Sequence, residues 1–322
     1  MNIAFAGFRH GHILGLYKTA SEHPEVTIKG CFEDNTPARE ATIKNIGAEF
    51  CYNTYEQLLG DPQVDAVAIG DYFSRRGSMV IKALESGKHV ICDKPVCTDL
   101  KELDRIEELV NKTGLQVCCM LDLRYCTPAM EVKAMIEDGV IGDVKTVNFT
   151  GQHCLDYGNR PAWYFEEGKQ GGTINDIAIH GIDLIRFMTG KNLTKVNFAK
   201  CWNAFATQEP DFKDGGQFII EMDGISVTSD VTYSAPKFSG TLPTYWEFCI
   251  WGTEGMISFN LAEECIKLYK GEKTVIPCPA KPMDYLNAFM KEIKGEKTIM
   301  DTKGVLDSQR QTLLIQQFAD KQ

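Results

Sequence analysis

Short apolar runs recur through the first 120 residues, at 2–6, 26–32, 64–69, 88–92 and 115–121. Between them the apolar positions fall at helical spacing near 13–21, 37–46, 73–86 and 98–113. Strands alternating with helices over short connections predict a parallel sheet covered by helices on both faces. In "NKTGLQV" (111–117), Gly114 ends one helix and opens the next strand. After about residue 122 the pattern changes. A helix near 127–137 leads through "DGVIGDV" into strands, and another helix spans about 174–188. Strand-like runs follow near 194–203, 216–222, 225–233, 244–251, 255–259 and 273–276, joined by tight turns such as Asp223-Gly224. Consecutive strands with such turns predict an antiparallel sheet. Alternation through Val227, Ser229, Val231 and Tyr233 leaves one face of that sheet available to a partner subunit. Helices near 282–294 and 303–319 close the chain. The expected fold class is therefore α/β: a parallel-sheet domain over 1–122, then an α+β domain with an open, mainly antiparallel sheet over 123–322.

At 322 residues the chain is longer than one hydrophobic core usually spans, which agrees with two domains. The net charge of −10 argues against nucleic acid or an anionic membrane as partner. No apolar run approaches a membrane span, and the order of residues after Ile3-Ala4-Phe5-Ala6 is wrong for a signal peptide. The twelve cysteines are scattered without a Cys-x-x-Cys pair, and Cys31, Cys92, Cys118, Cys119 and Cys249 sit in strand-like runs. That setting predicts reduced, buried thiols and a cytoplasmic location.

Three stretches carry candidate chemistry beside the strand "VICDKPV" (90–96), whose apolar run ends on Asp93, Lys94 and Pro95. "AGFRHGHILG" (6–15) occupies the pyrophosphate-binding turn between a first strand and a helix. Its glycine pattern is broken: Gly7 fits the first position, Arg9 replaces the second Gly, and Gly11 or His12 takes the third. Arg9, His10 and His12 can supply donors in place of the missing backbone approach; the alternative is a polar loop with a satisfied histidine pair. No third ligand lies near His10 and His12, so no metal is expected. "GCFEDNTPAR" puts an acid, Asp34 first and Glu33 second, where adenosine ribose hydroxyls are bound. A carboxylate there favours NAD over NADP, with Arg39 leaving NADP open; a plain turn is the alternative. In "GGTINDIAIHGIDLIRFMTG" (171–190), Asp176, His180 and Asp183 share one face of an otherwise apolar helix. Burying them is costly unless they serve one another or a ligand.

These pieces in this order resemble the glucose-fructose oxidoreductase/inositol dehydrogenase/rhizopine catabolism (Gfo/Idh/MocA) family. The matching stretches are the opening loop through Gly7, "VDAVAIG" (64–70), "ALESGKHVICDKPV" (83–96), "RYCTPAMEVKAMIEDGVIGDV" (124–144), "GGTINDIAIHGID" (171–183) and "GTEGMISF" (252–259). The family's Glu-Lys-Pro reads Asp93-Lys94-Pro95 here, and "DYFSRRGS" (71–78) brings Arg75 and Arg76 where a Pro and a His are usual. The resemblance implies a Rossmann domain followed by a domain whose open sheet builds homodimers or homotetramers, with the active site between the domains. It implies a catalytic trio of Lys94, Asp176 and His180, with Pro95 after a cis bond. Cofactor contacts would come from Gly7, Phe8, Arg9, His10, Gly11, His12, Asp34, Asp71, Lys94 and Pro95. Asp183, Arg124 and Asn175 would face substrate.

The implied reaction moves a hydride between a secondary alcohol of a sugar, cyclitol or glycoside and the nicotinamide of NAD. His180, oriented by Asp176, takes the hydroxyl proton while Lys94 steadies the developing oxyanion. The loop "QHCLDYGNRPAWYF" (152–165) offers His153, Tyr157, Arg160 and Trp163 to a sugar, or else forms an ordinary aromatic lid. Two alternatives stand beside this reading: a hydrolase or lyase that oxidises a glycoside transiently, and a non-catalytic NAD-binding regulator.

Overall fold

The computed structural model describes residues 1–237, 241–281 and 284–322. The chain forms two compact units: Met1–Met120 with Pro161–Gly171 and Asp284–Asp307, and Leu121–Arg160 with Gly172–Met283 and Ser308–Gln322. A single cut after 122 therefore misses the two later stretches that join the first unit.

In the first unit, strands β1 (Asn2–Ala6), β2 (Thr27–Phe32), β3 (Ala66–Ile69), β4 (His89–Cys92) and β5 (Val117–Cys119) form a parallel sheet in the order β2-β1-β3-β4-β5. Helices α1 (His12–Glu22), α2 (Thr36–Ile46), α3 (Tyr55–Gly60), α4 (Phe73–Glu85) and α5 (Leu100–Thr113) connect the strands. All four residues of β3 are buried, as in a sheet covered on both faces. Only the short α3 has no counterpart in the apolar pattern, because six residues are too few to show a period. Asn35 caps α2 through a bond from the Ala38 amide, and Gly114 ends α5 in the left-handed region at φ 73°. The strand order reverses between β1 and β3. That switch point, at the carboxyl ends of the strands, is where open α/β sheets bind ligands.

The second unit begins with a 3₁₀ turn at Asp122–Tyr125, α6 (Thr127–Glu137) and β6 (Val144–Cys154). A π-helical turn at Ile174–Ala178 runs into α7 (Ile179–Thr189). Strands β7 (Leu193–Trp202), β8 (Gly215–Met222), β9 (Ile225–Ala235), β10 (Glu247–Gly252), β11 (Met256–Asn260), β12 (Cys265–Lys270) and β13 (Glu272–Pro277) complete the sheet, ordered β13-β12-β11-β10-β6-β9-β8-β7. Every pairing is antiparallel except that of β6 with β9. Alternation of buried and exposed residues along β8 from Gly216 to Met222 leaves one sheet face open. On the covered face Phe149, Phe248 and Phe259 lie opposite one another on β6, β10 and β11, with successive rings stacked 5.5 and 5.0 Å apart. Gly181 of α7 lets the helix down onto Phe149, whose ring would lie 2.1 Å from a Cβ there.

The last helices are α8 (Tyr285–Ile293) and α9 (Thr302–Ala319). Positions 282 and 283, where the apolar pattern starts the former, lie outside the described residues. All twelve cysteines are free thiols, with Cys31, Cys92, Cys118 and Cys119 buried, Cys249 half-buried and Cys51 exposed. Among the described residues no helix is long and apolar enough to cross a membrane.

Candidate active site

In the first unit the loop after β1 is drawn tight. Gly7 has φ 79°, and a Cβ there would lie 2.8 Å from the Cβ of Asp71, so only glycine lets the loop lie against the end of β3. The amides of Gly7, Phe8 and His10 donate to Phe32 O, Glu33 Oε2 and Gly70 O at 3.0, 2.7 and 3.1 Å. A pyrophosphate in this turn would therefore rely on the first amides of α1, after Gly11, and on side chains. Glu33 is buried and structural: it also accepts from the Asn35 amide (2.8 Å) and Arg9 Nε (3.3 Å). Asp34 is exposed at the strand end, as a ribose contact requires. Asp71 is buried against Gly7 and bonds Arg75 Nη1 at 3.0 Å, so it props the loop.

Asp93 is fully buried and collects three partners. His10 Nδ1 lies 2.5 Å from Oδ2, His12 Nδ1 lies 3.2 Å from Oδ1, and Arg76 Nη2 donates to Oδ2 at 3.2 Å. The third ligand that the sequence did not bring near His10 and His12 is thus present, and the three groups lie within 4.8 Å of one another. Arg76 already neutralises that carboxylate, which makes the cluster a hydrogen-bonded hub between the loop and β4. Burial pushes the His10 imidazole down to about 4 against the pull of Asp93, and its ring packs 5.2 Å from Phe73.

Lys94 follows Asp93, is buried, and precedes Pro95 through a cis bond, as the resemblance implied. Its Nζ lies 5.8 Å over the Phe73 ring. The wholly buried Arg76 donates to the carbonyls of Asp93 (3.0 Å), Lys94 and Pro95 (3.2 Å). One guanidinium from α4 therefore fixes the backbone that carries the lysine.

Trp163, offered by the sequence to a sugar or to an aromatic lid, lies on the loop after β1. Its segment belongs to the first unit, where its Nε1 donates to Arg9 O at 3.0 Å and its ring packs on Phe73 at 4.9 Å. With Phe8, Arg9, Asn35, Pro37 and Ala38 it lines a cleft of about 480 Å³. This indole therefore touches the loop after β1. The cleft, the tight Gly7 turn and the exposed Asp34 together fit the adenosine end of a dinucleotide.

In the second unit the stretch holding Asp176 is a π-helical turn, so spacing of four does not place Asp176 and His180 as a regular α-helix would. At the start of this segment Gln316 Oε1 takes the Asn175 amide at 3.1 Å and packs where Gly172 has no side chain. Asp176 is buried and accepts from the Tyr233 hydroxyl, and the Arg160 guanidinium lies 5.0 Å over the Tyr233 ring. His180 is buried, with Nδ1 3.9 Å from Asp122 Oδ1 and its ring edge-on to Trp246 at 5.6 Å. His153 meets the same Trp246 at 5.3 Å. Gly151 makes room, since a Cβ there would lie 2.8 Å from that indole.

The remaining expected substrate residues are differently engaged. Arg124 donates to Asp183 through Nε and Nη2, at 2.7 and 2.5 Å, and both are buried. Ser308 Oγ adds a third bond to Asp183 at 2.6 Å. Asn175 is wholly buried with its amide oxygen on Gln309 Nε2 at 2.8 Å. Arg160 spends its donors on Leu155 O (2.7 Å) and Cys154 O (2.8 Å), while Tyr157 is exposed and bonds Glu209 at 2.9 Å.

Family models match both units in turn. The description "Oxidoreductase family, NAD-binding Rossmann fold" covers residues 1–120, and "GFO/IDH/MocA C-terminal domain" covers residues 129–258. The chain belongs to the Gfo/Idh/MocA family. It is 32% identical over 169 residues to scyllo-inositol 2-dehydrogenase (NAD(+)) of Bacillus subtilis (strain 168), covering 52% of this chain and 48% of that one. It is 28% identical over 153 residues to myo-inositol 2-dehydrogenase of Thermotoga maritima, covering 48% of this chain and 44% of the relative. The chain thus spans about half the length of the curated relatives it matches. The structure of a levoglucosan dehydrogenase in complex with NADH and levoglucosan superposes with a TM-score of 0.82 at 22% identity, over 100% of this chain and 97% of that one. At that identity the likeness speaks for the fold. This Gfo/Idh/MocA member carries the family's NAD-binding Rossmann domain, and Tyr233, Trp246 and Asp122 are site neighbours that motif reading passed over. Tyr233 gave a signal: it stands in the inward phase of an alternating strand, where a hydroxyl needs a buried partner.

Proposed function

We propose that this chain is an NAD-dependent dehydrogenase acting on a secondary alcohol of a sugar or cyclitol. NAD, when bound, supplies the hydride acceptor. His180 accepts the hydroxyl proton, Asp176 steadies the imidazole, and Lys94 donates a hydrogen bond to the oxygen as negative charge develops. The observation that carries this reading is the Asp176 setting. A carboxylate buried on an apolar helical segment, bonded by Tyr233 and four residues before a buried histidine, is expensive for the fold and useful to a general base. Support also comes from the inositol dehydrogenases the chain resembles.

The test is single-turnover hydride transfer against a panel of free sugars, inositols and glycosides. His180→Ala should lose a factor on the order of 100 to 10,000 in hydride transfer while NAD affinity stays near the parent value. Native-like transfer in that variant would remove His180 from the mechanism. One observation favours a second reading, transient oxidation with the cofactor retained. Residues 161–171 join the first unit, where Trp163 bonds the cofactor loop and lines its cleft. Accumulation of free NADH during turnover would count against it.

A further inference from the structure

The 3₁₀ turn Asp122–Tyr125 is pinned to α7 beside His180. Arg124 of that turn donates through Nε and Nη2 to Asp183, three residues beyond His180 on the helix. A buried bidentate pair fixes direction as well as distance, so it sets the register of the turn against α7. That register brings Asp122 Oδ1 to 3.9 Å from His180 Nδ1. The buried Trp246 meets the imidazole edge-on at 5.6 Å, so Nδ1 keeps this aim. At 3.9 Å the contact is an ion pair longer than a hydrogen bond, as is common before substrate arrives. The Asp122 side chain is 33% exposed and that of His180 is 7% exposed, so a hydrated carboxylate stands beside a largely desolvated ring. The other titratable groups around the ring are engaged elsewhere. Asp176 accepts from Tyr233, Asp183 is held by Arg124 and Ser308, and His153 packs on Trp246 at 5.3 Å. Burial first, and then the Asp122 charge, pushes the Tyr245 hydroxyl up and the Cys126 thiol up to about 11. Both therefore stay neutral near pH 7, which leaves the His180 imidazole to answer the Asp122 charge there.

We propose that Asp122 is a positioning residue for His180: its carboxylate holds the proton on Nδ1, presents Nε2 to the alcohol, and stabilises the imidazolium formed when Nε2 takes the hydroxyl proton. Asp122 stays ionised throughout, while the hydroxyl proton goes to Nε2 and the hydride to NAD. The proposal rests on the reading of His180 as proton acceptor. It adds to Asp176 a second carboxylate, carried on a different element. It also gives the buried Arg124 and Asp183 pair a task, that of holding the turn in register beside the base.

The experiment titrates the His180 imidazole by NMR in the protein without cofactor, its resonance assigned by its loss in His180→Ala. Native protein is compared with Asp122→Asn and Asp122→Glu, and melting temperatures check that each is folded. In the native protein the neutral ring should carry its proton on Nδ1. A carboxylate at this range typically moves its partner's pKa by about one unit, so Asp122→Asn should lower the His180 midpoint by about one pH unit. Asp122→Glu keeps the charge and should restore most of that loss. The pH profile of single-turnover hydride transfer, run with the alcohol turned over fastest in the panel above, should move to lower pH by the same amount. Its plateau should fall by up to about tenfold, because one unit of basicity is worth at most that. A neutral ring protonated on Nε2, or an Asp122→Asn midpoint within about 0.3 pH unit of native, would overturn the proposal. A slowed plateau with no displacement of the profile would overturn it as well. Native-like hydride transfer in His180→Ala, together with a displaced midpoint in Asp122→Asn, would instead overturn the catalytic reading and leave the pairing of Asp122 with His180 standing.

Discussion

Asp183 offers a sharp test, because the fold gives it a structural task where the family resemblance implies substrate contact. Its carboxylate is 1% exposed and receives both arms of Arg124, itself 5% exposed, together with the Ser308 hydroxyl. Ser308 in turn accepts from Arg186 Nη1 at 2.6 Å, so the carboxylate closes a network over α7, α9 and the turn before α6. Asp183→Asn keeps shape and volume but leaves the Arg124 charge buried without its counter-charge. Removing one partner of a buried ion pair typically costs about 3–5 kcal/mol. For a unit of this size each kcal/mol moves the melting temperature by about 2–4 °C, so a fall of roughly 10 °C is expected. Arg124→Met alone should cost a similar amount, since it strands the carboxylate. Arg124→Met with Asp183→Leu removes both charges and should recover most of the loss, because a well-packed apolar pair often matches a buried ion pair. Thermal and denaturant unfolding of the four proteins measures each change. If Asp183→Asn melts within about 2 °C of the parent and only KM for the alcohol rises, the carboxylate serves substrate and the structural argument fails.

Two further predictions follow from other parts of the molecule. Burial holds the folded His10 pKa at about 4, below its ordinary 6.5, so the unfolded chain binds the extra proton between those values. Stability from this group is therefore fully present above about pH 6.5 and is lost as pH falls toward 4, by roughly 3 kcal/mol; equal melting temperatures at about pH 7 and pH 4.5 would contradict it. On the open sheet face, Phe198, Ile219 and Trp251 are 42%, 43% and 47% exposed, and we expect light scattering to give a homodimer or homotetramer that Ile219→Asp dissociates. A monomer at micromolar concentration would refute that.

What the sequence discloses, and what it hides, divides along a physical line. Period and punctuation are local, so the strands around Ile3, Val67 and Ile91, the αL end at Gly114 and the Lys94-Pro95 element can all be read from neighbours in the chain. Partnership is not local. Arg76 lies 17 residues from the Asp93 carboxylate it neutralises, and Trp163 lies 154 residues from the Arg9 carbonyl it bonds. Nothing in the spacing of either residue foretells those meetings. The bond from the Asn175 amide to Gln316, 141 residues away, is hidden for the same reason. Residue type tells what bonds a side chain is able to make, and only the fold tells which it has already made. Asp176 and Asp183 show the difference, as equal acids on one helical segment that sequence reasoning assigns alike to the site. Asp183 receives both arms of Arg124 in a bidentate geometry, and Asp176 accepts from the Tyr233 hydroxyl. The same residue type thus carries different bonds on one helical segment, a difference that spacing alone does not show.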